Sequence, residues 1–143
     1  MKATFKPGLR YCVTCSVAER TTAPHTYPDV PVIAAMPEVF ATGFMIILME
    51  RACTALLAKP LGAGEGSVGG HIDVSHIATS PVGMTATAQA ECVQVVDRGV
   101  SFKVRAHDGL DLIGEGRHER FVVDGDKFNQ WVATKAAKLE RVA

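Results

Sequence analysis

FATGFMIILMERAC, residues 40–53, is an almost continuous apolar segment with a carboxylate in its second half. A surface helix is apolar along one stripe only, whereas a helix that is apolar nearly all round is buried. The segment therefore predicts a buried helix over residues 42–58, ended by Pro60 and Gly62. Glu50 is the exception within it, because a carboxylate in apolar surroundings is costly unless it is paired or hydrogen-bonded. We expect this glutamate to have a functional use.

Composition limits the classes of protein to consider. The 143 residues predict one domain over 1–143 with a substantial core. Fifteen basic and fifteen acidic residues balance, and no basic run is present, which argues against a nucleic-acid partner. The apolar run 44–49 is too short to span a membrane, and the N-terminus lacks the apolar core of a signal peptide. The expectation is a cytoplasmic protein without a membrane partner.

The rest of the chain has the two-residue period of β-strands. A first strand is predicted over residues 9–18, before a proline-rich loop over 21–37 whose length is typical of a functional lid. Four more strands follow the helix, with turn signals at Asp97-Arg98-Gly99 and Asp108-Gly109. Asp126 is predicted to cap a final amphipathic helix.

This order of elements predicts the fold class. Consecutive strands joined by short turns form an antiparallel sheet. A sheet of this kind curled around one long central helix explains why that helix is apolar. The sequence therefore predicts an α+β protein with the hot-dog fold.

His76 is the second candidate for chemistry. It is predicted to share an apolar strand face with Val68, Gly70, Ile72 and Val74, near the central helix. A neutral imidazole close to a carboxylate is a common acid/base pairing. The alternative is a core histidine that is satisfied by a backbone carbonyl.

Thr42 stands where the helix begins. Threonine is a preferred N-cap, which needs no catalytic role. The free N–H groups and partial positive charge of a helix N-terminus also suit a developing oxyanion. Eight helical residues place Thr42 and Glu50 about 12 Å apart along the axis. Either Thr42 lies on a turn folded back over the helix, or one site draws on two subunits.

Weaker candidates have plainer explanations. Cys12 and Cys15 form a lone CxxC on a predicted strand, without a second pair at zinc spacing, so no metal site is expected. Glycines at positions 69 and 70 in a strand suggest close approach by a ligand or another backbone. Arg120 follows His118 on the same strand face and could meet an anionic or carbonyl group, or it could be a surface arginine.

The sequence resembles a known family. The segments PEVFATGFM (37–45) and LMERAC (48–53) are similar to the hot-dog thioesterases related to fluoroacetyl-CoA thioesterase. GEGSVG (64–69), VSH (74–76), AHDG (106–109) and IGEGRHER (113–120) are similar as well, so the resemblance covers nearly the whole chain.

The resemblance implies both a function and its residues. It implies hydrolysis of an acyl-CoA thioester of a short or small acyl group, by a homodimer that could pair further into a tetramer. Thr42, Glu50 and His76 would form the catalytic set, with Glu50 attacking or activating water. Gly69 and Arg120 would help to hold the thioester. No cofactor or metal is implied, since coenzyme A is part of the substrate.

The lid departs from the family pattern. Fluoroacetyl-specific members carry aromatic residues where this chain has Ile33 and Met36. An apolar pocket is still expected there, but methionine adapts to varied shapes. The resemblance therefore implies Ile33 and Met36 as acyl-contacting residues and a broader range of acyl groups.

Two other functions stay open at this point. A non-catalytic acyl-CoA-binding or regulatory module would use the same fold without turnover, because a fold does not fix a function. A hot-dog dehydratase ranks last, because the expected Asp/His pairing is not visible in the sequence.

Overall fold

The computed structural model describes residues 1–139 and 141–142 and contains one antiparallel sheet and one long helix. The elements in chain order are β1 (Arg10–Ser16), 3₁₀ turns at Glu19–Thr21 and Ala23–His25, α1 (Pro31–Ala34), α2 (Thr42–Ala58), β2 (Glu65–His76), β3 (Thr85–Val96), β4 (Gly99–His107), β5 (Leu112–Asp124) and α3 (Gly125–Leu139). The strand order is β1-β3-β4-β5-β2, so β1 and β2 are the edges. The predicted α+β arrangement is confirmed. The extent of a single domain over 1–143 stays a prediction.

Small side chains on the concave face of the sheet let α2 approach closely. Ala86, Ala88 and Ala90 of β3 and Ala106 of β4 are fully buried. The helix contributes larger side chains to the same core, namely Met45, Leu48, Met49, Leu56 and Leu57. Alanines on one side and long side chains on the other allow the two surfaces to pack closely. The sheet can therefore curl tightly around the helix.

The expectation that α2 is buried all round is wrong for the single chain. Ile47 is 49% exposed, and Arg51 and Thr54 are exposed on the same side of the helix. The Glu50 side chain is 39% exposed, so it is not the buried carboxylate that the sequence predicted. The physical reason is geometric, because a five-stranded sheet covers only part of the circumference of the helix.

A β-bulge in β2 changes which residues face the helix. The pairing with β5 shifts between Gly69 and His71, and Gly70 is the extra residue. Val68 consequently pairs with Phe121 on the outer face, whereas Ile72 pairs with the buried His118. The prediction that Val68 and Gly70 share the face of His76 is therefore wrong. The sequence pattern could not show this shift, because a bulge reverses the alternation at one residue.

The cap of the last helix also lies two residues earlier than predicted. Asp124 Oδ1 accepts a hydrogen bond from the Lys127 N–H at 3.0 Å, which makes Asp124 the capping residue of α3. Asp126 lies inside the first turn. The described residues of α3 include none that is buried.

The predicted lid contains regular structure and has its two ends fixed together. The segment folds into the 3₁₀ turns and α1 instead of one irregular loop. Thr22 and Phe40 form an isolated bridge, and the Ala41 N–H donates to the Thr21 carbonyl at 2.9 Å. The two ends of the lid are therefore held together immediately before α2.

Within the part of the chain that the structure describes, no helix has the length and apolar character needed to cross a membrane.

A methyl group at Gly116 is expected to disrupt the pairing of β2 with β5. It would overlap the Asp73 carbonyl oxygen and lie 2.6 Å from Val74 Cα, both of them backbone atoms. We expect Gly116→Ala to lower the free energy of unfolding by about 3 kcal/mol, at the top of the range for overpacking. Gly66→Ala is the matched control, because its methyl group would lie 3.9 Å from Val123. Equal denaturation midpoints for the two variants would contradict the prediction.

The cap of α3 gives a second stability prediction. Asp124→Ala should destabilise the helix by about 1 kcal/mol, because it removes the hydrogen bond to the Lys127 N–H. Asp126→Ala should cost about 0.5 kcal/mol or less, since that residue contributes only through the helix dipole. Amide hydrogen exchange along α3 measures both changes. Faster exchange in the Asp126 variant than in the Asp124 variant would restore the original assignment of the cap.

Candidate active site

The structure joins Thr42 to His76 at the start of α2. Thr42 Oγ1 lies 2.8 Å from His76 Nδ1, which is hydrogen-bonding distance. His76 is the last residue of β2 and pairs with Gly114. The end of β2 therefore meets the start of α2.

Thr42 does not cap the helix. Ala41 is the N-cap residue, with extended backbone angles of φ −69° and ψ 140°. The Met45 N–H donates to the Ala41 carbonyl, as the first hydrogen bond of the helix. The hydroxyl of Thr42 is therefore directed to His76 instead of to the backbone. The N-cap reading of Thr42 is wrong, whereas the free N–H groups of the first turn remain available.

The other nitrogen of His76 is ready for a further partner. His76 Nε2 is buried and has no hydrogen-bond partner among the described residues. Burial lowers the pKa of the imidazole below its usual value. A neutral ring at pH 7 can accept a proton on one nitrogen, which is what an acid/base catalyst needs. The backbone of Ala78 partly opposes this lowering of the pKa, although Nε2 makes no hydrogen bond within normal limits in the described structure.

Glu50 lies in a second cluster, at the middle of α2. Its Oε1 is 3.5 Å from His118 Nε2 and 3.7 Å from Arg120 Nη1. An open groove of about 660 Å³ borders the carboxylate and runs along the exposed side of the helix. Its lining also includes Tyr11, Ile47, Arg51, Thr54, Gly69 and Arg120. Glu50 thus faces solvent and a cation together.

Arg120 is held rigidly beside Glu50. Its Nε donates to Ser67 Oγ at 3.1 Å and its Nη2 donates to the Ser67 carbonyl at 3.0 Å. The residue is only 8% exposed, so the alternative of a surface arginine is wrong. A guanidinium fixed on one side keeps its remaining N–H donors directed toward the groove.

Gly69 completes this cluster because a side chain there would crowd the carboxylate and the His118 ring. A methyl group on Gly69 would lie 3.0 Å from Glu50 Oε1 and 3.2 Å from His118 Cε1. The strand backbone therefore passes directly over the carboxylate. The neighbours of Gly69 are side chains, so the approach of a ligand or another backbone to the glycine pair stays a prediction.

Within one chain, the two clusters remain separate. Thr42 and Glu50 are eight residues apart on the same helix, which is about 12 Å along its axis. The turn that would fold Thr42 back over α2 is not formed, since Thr42 is the first helical residue. The structure therefore brings Thr42 to His76, and Glu50 to Gly69 and Arg120.

Ile33 and Met36 lie in the lid. Ile33 is half-buried within α1, and Met36 follows that helix and is 45% exposed. The described lining of the Glu50 groove contains neither of them. Because the lid ends at Phe40, immediately before α2 begins, we associate both residues with the Thr42 end of α2.

The cysteines offer no competing nucleophile or metal site in the described structure. Cys53 lies one turn from Glu50, and burial raises the pKa of its thiol to about 12. Such a thiol is protonated at pH 7 and unreactive. Cys12 and Cys15 point to opposite faces of β1. Across the described residues, no group of three or more His, Cys, Asp or Glu side chains could hold a metal.

His118 belongs to the site but was not predicted as a site residue. It is 1% exposed, and its Nδ1 lies 2.8 Å from the His71 carbonyl oxygen. Burial lowers the pKa of His118, despite the opposing effect of that carbonyl. Its position two residues before Arg120 was the available signal. A period of two places both side chains on the helix-facing side of β5.

Comparison with known proteins identifies relatives over nearly the whole chain. The sequence profile of FlK, the fluoroacetyl-CoA-specific thioesterase family, matches residues 17–126. The fluoroacetyl-CoA thioesterase of Streptantibioticus cattleyicolor is 47% identical over 135 residues, which cover 94% of this chain and 97% of that protein.

Solved structures give the same result for the fold. One structure of the fluoroacetyl-CoA thioesterase FlK has a TM-score of 0.89 at 46% identity, over 92% of this chain and 97% of that one. A hot-dog-like protein from Thermanaerovibrio acidaminovorans has a TM-score of 0.80 at 21% identity, over 92% and 93% of the chains. The predicted hot-dog fold is confirmed. By the extent of the profile match and the identity to its relative, the chain belongs to the family of fluoroacetyl-CoA-specific thioesterases.

Proposed function

We propose that this protein hydrolyses acyl-CoA thioesters of small acyl groups, with Thr42, Glu50 and His76 as its catalytic residues. The predicted enzyme class, a thioesterase, is confirmed by family membership. Structures of FlK include complexes with acetyl-CoA and with fluoroacetate and CoA, which supports a small acyl group here. The observation that carries the assignment is the half-exposed Glu50 carboxylate, fixed beside Arg120 and open to a groove.

Glu50 supplies the base or the nucleophile. As a base it takes a proton from water, whose oxygen bonds to the carbonyl carbon while the C–S bond breaks. As a nucleophile it bonds to that carbon itself, and water then opens the resulting anhydride. In both routes the CoA sulfur leaves as a thiolate and receives a proton. The proposal uses side chains and water and no cofactor.

The other residues act on the charge that develops during the reaction. The negative charge on the carbonyl oxygen suits the free N–H groups at the start of α2 and the guanidinium of Arg120. His76 carries the proton that reaches the leaving thiolate, and the Thr42 hydroxyl fixes its ring by the 2.8 Å contact. Gly69 lets the thioester approach Arg120, because it presents backbone without a side chain.

A homodimer would bring the two clusters together. β2 is an edge strand, and such a strand offers unpaired N–H and C=O groups to another chain. If two copies of β2 pair antiparallel about a centre between Ile72 and Asp73, then Gly69 of one copy lies opposite His76 of the other. Each site would then combine Thr42 and His76 of one subunit with Glu50 of its partner. A further pairing of dimers into a tetramer stays a prediction, as does the cytoplasmic location.

We further propose that Ile33 and Met36 contact the acyl group and give a broad range of substrates. Their lid segment begins and ends beside the residues that precede Thr42. Both side chains are apolar, and the long side chain of methionine adapts to acyl groups of different shape.

Loss of the carboxylate should abolish hydrolysis. We expect Glu50→Gln to lower kcat for the best acyl-CoA by about a thousandfold or more, because the groups of a catalytic unit act together. Thiol release is measured with acetyl, fluoroacetyl, longer aliphatic and aryl CoA esters. Glu115→Gln is the control, since that carboxylate is exposed on β5 and pairs with Arg105.

The result of this experiment also separates the two remaining functions. If the parent protein binds CoA esters tightly but releases no thiol, the proposed enzyme function is wrong and the protein is a binding module. Unchanged turnover in Glu50→Gln would instead leave an enzyme with another catalytic residue.

Mixed dimers test whether a site is shared between subunits. Glu50→Gln and Thr42→Val chains, each inactive alone, would be co-expressed with different tags and purified. In a shared site, each mixed dimer purified through both tags keeps one intact site of two, so it should have about half of the parent activity. Sedimentation establishes that the preparation is dimeric. A mixture that stays inactive would place each site within one chain.

A further inference from the structure

The unassigned residue in the Glu50 cluster is the buried imidazole of His118. Its Nδ1 faces the His71 carbonyl oxygen at 2.8 Å, and a carbonyl can only accept. Nδ1 therefore carries the proton and donates it. On the other side of the ring, His118 Nε2 lies 3.2 Å from Arg120 Nη1, and a guanidinium can only donate. Both of these hydrogen-bonded neighbours require the same neutral tautomer, protonated at Nδ1. The third neighbour, Glu50 Oε1, lies 3.5 Å from Nε2, beyond the length of a normal hydrogen bond.

His118 and Glu50 compete for one donor. Nη1 of Arg120 lies 3.2 Å from His118 Nε2 and 3.7 Å from Glu50 Oε1. A tight arginine–carboxylate hydrogen bond has a length of about 2.7–2.9 Å. Arg120 is therefore bonded to the imidazole and only near the carboxylate. A carboxylate in a tight ion pair is a poorer base and nucleophile, because its lone pairs are already engaged.

His118 also supports the strand backbone in the site. The His71 carbonyl that it binds is next to the bulge at Gly69 and Gly70. Its Cε1 is the wall against which Gly69 packs. The His118 ring therefore contacts the bulge of β2 and the guanidinium of Arg120, and its Nε2 also lies near the Glu50 carboxylate.

We propose that His118 is a positioning residue, which holds Arg120 and the Gly69–Gly70 bulge so that the guanidinium stays near Glu50 without closing onto it. This inference rests on the proposed function, in which Glu50 reacts and Arg120 and Gly69 hold the thioester. Without the acceptor at Nε2, the Nη1 donor of Arg120 is free, and the Glu50 side chain moves in to engage it while Ser67 still holds the guanidinium. The carboxylate then becomes a poorer base and nucleophile. Substrate binding changes less, since the groove remains.

Two amide variants separate the two sides of the ring. In His118→Asn the amide nitrogen takes the place of Nδ1 and keeps the bond to His71, but the acceptor for Arg120 is lost. In His118→Gln the amide oxygen reaches the place of Nε2 and keeps that acceptor, but the donor to His71 is lost. Both variants remove a buried aromatic ring, so a purely structural role would affect them alike.

Kinetics and thermal unfolding are measured on both variants. We expect His118→Asn to lower kcat by about tenfold or more with KM changed by less than about threefold, and His118→Gln to keep kcat within about threefold of the parent. The difference in kcat should not follow the difference in Tm. Loss of kcat in both variants in proportion to lost stability, or a His118→Asn kcat within about twofold of the parent, would overturn the proposal.

Nitrogen NMR provides a readout that does not depend on activity. The parent should show His118 as a neutral imidazole protonated at Nδ1, and the Arg120 guanidinium signals should shift in His118→Asn more than in His118→Gln. A protonated ring, the opposite tautomer or unmoved arginine signals would overturn the inference. A parent protein that releases no thiol from any ester, while its NMR signals agree, would instead overturn the proposed function alone.

Discussion

The close packing of α2 on the small side chains of β3 is the constraint on which the rest of the structure depends. Alanines at positions 86, 88 and 90 leave room for the helix backbone to approach the sheet. The sheet can then curl until both of its edges lie near the helix, but five strands cannot close around it. Glu50 lies on the side of α2 that the sheet leaves uncovered. The groove forms there because no strand packs against that side of the helix.

β2 serves the fold and the site at the same time. Its far end carries His76 to the start of α2, and its bulge brings backbone against Glu50. It is also an edge strand, so its second side is free for pairing with another copy. One strand thus connects the two clusters that a single helix holds about 12 Å apart. This arrangement explains why the candidate site is divided within one chain.

The periodicity of apolar residues was sufficient to predict the five strands and α2, because burial determines it, but it did not predict α1 in the lid. The bounds of α2 and the antiparallel strands follow from which residues must leave water. Finer features depend on backbone conformations of similar energy, which a pattern does not distinguish. Ala41 instead of Thr42 is the N-cap of α2, and the bulge at Gly70 reverses the facing of Val68. His118 was missed because its role comes from β2 and α2, both distant in sequence.

The strand order has a consequence for how the protein folds. β3, β4 and β5 are joined by short turns, whereas β1 pairs with β3 across 81 residues between Arg10 and Glu91. The pairing of β2 with β5 also joins residues that are distant in sequence, such as His76 and Gly114. Local contacts form faster than distant ones, so we expect the three-stranded meander to nucleate folding and the edges to dock later. The reactive residues would then be assembled last and lost first in partial unfolding, before the core of the sheet opens.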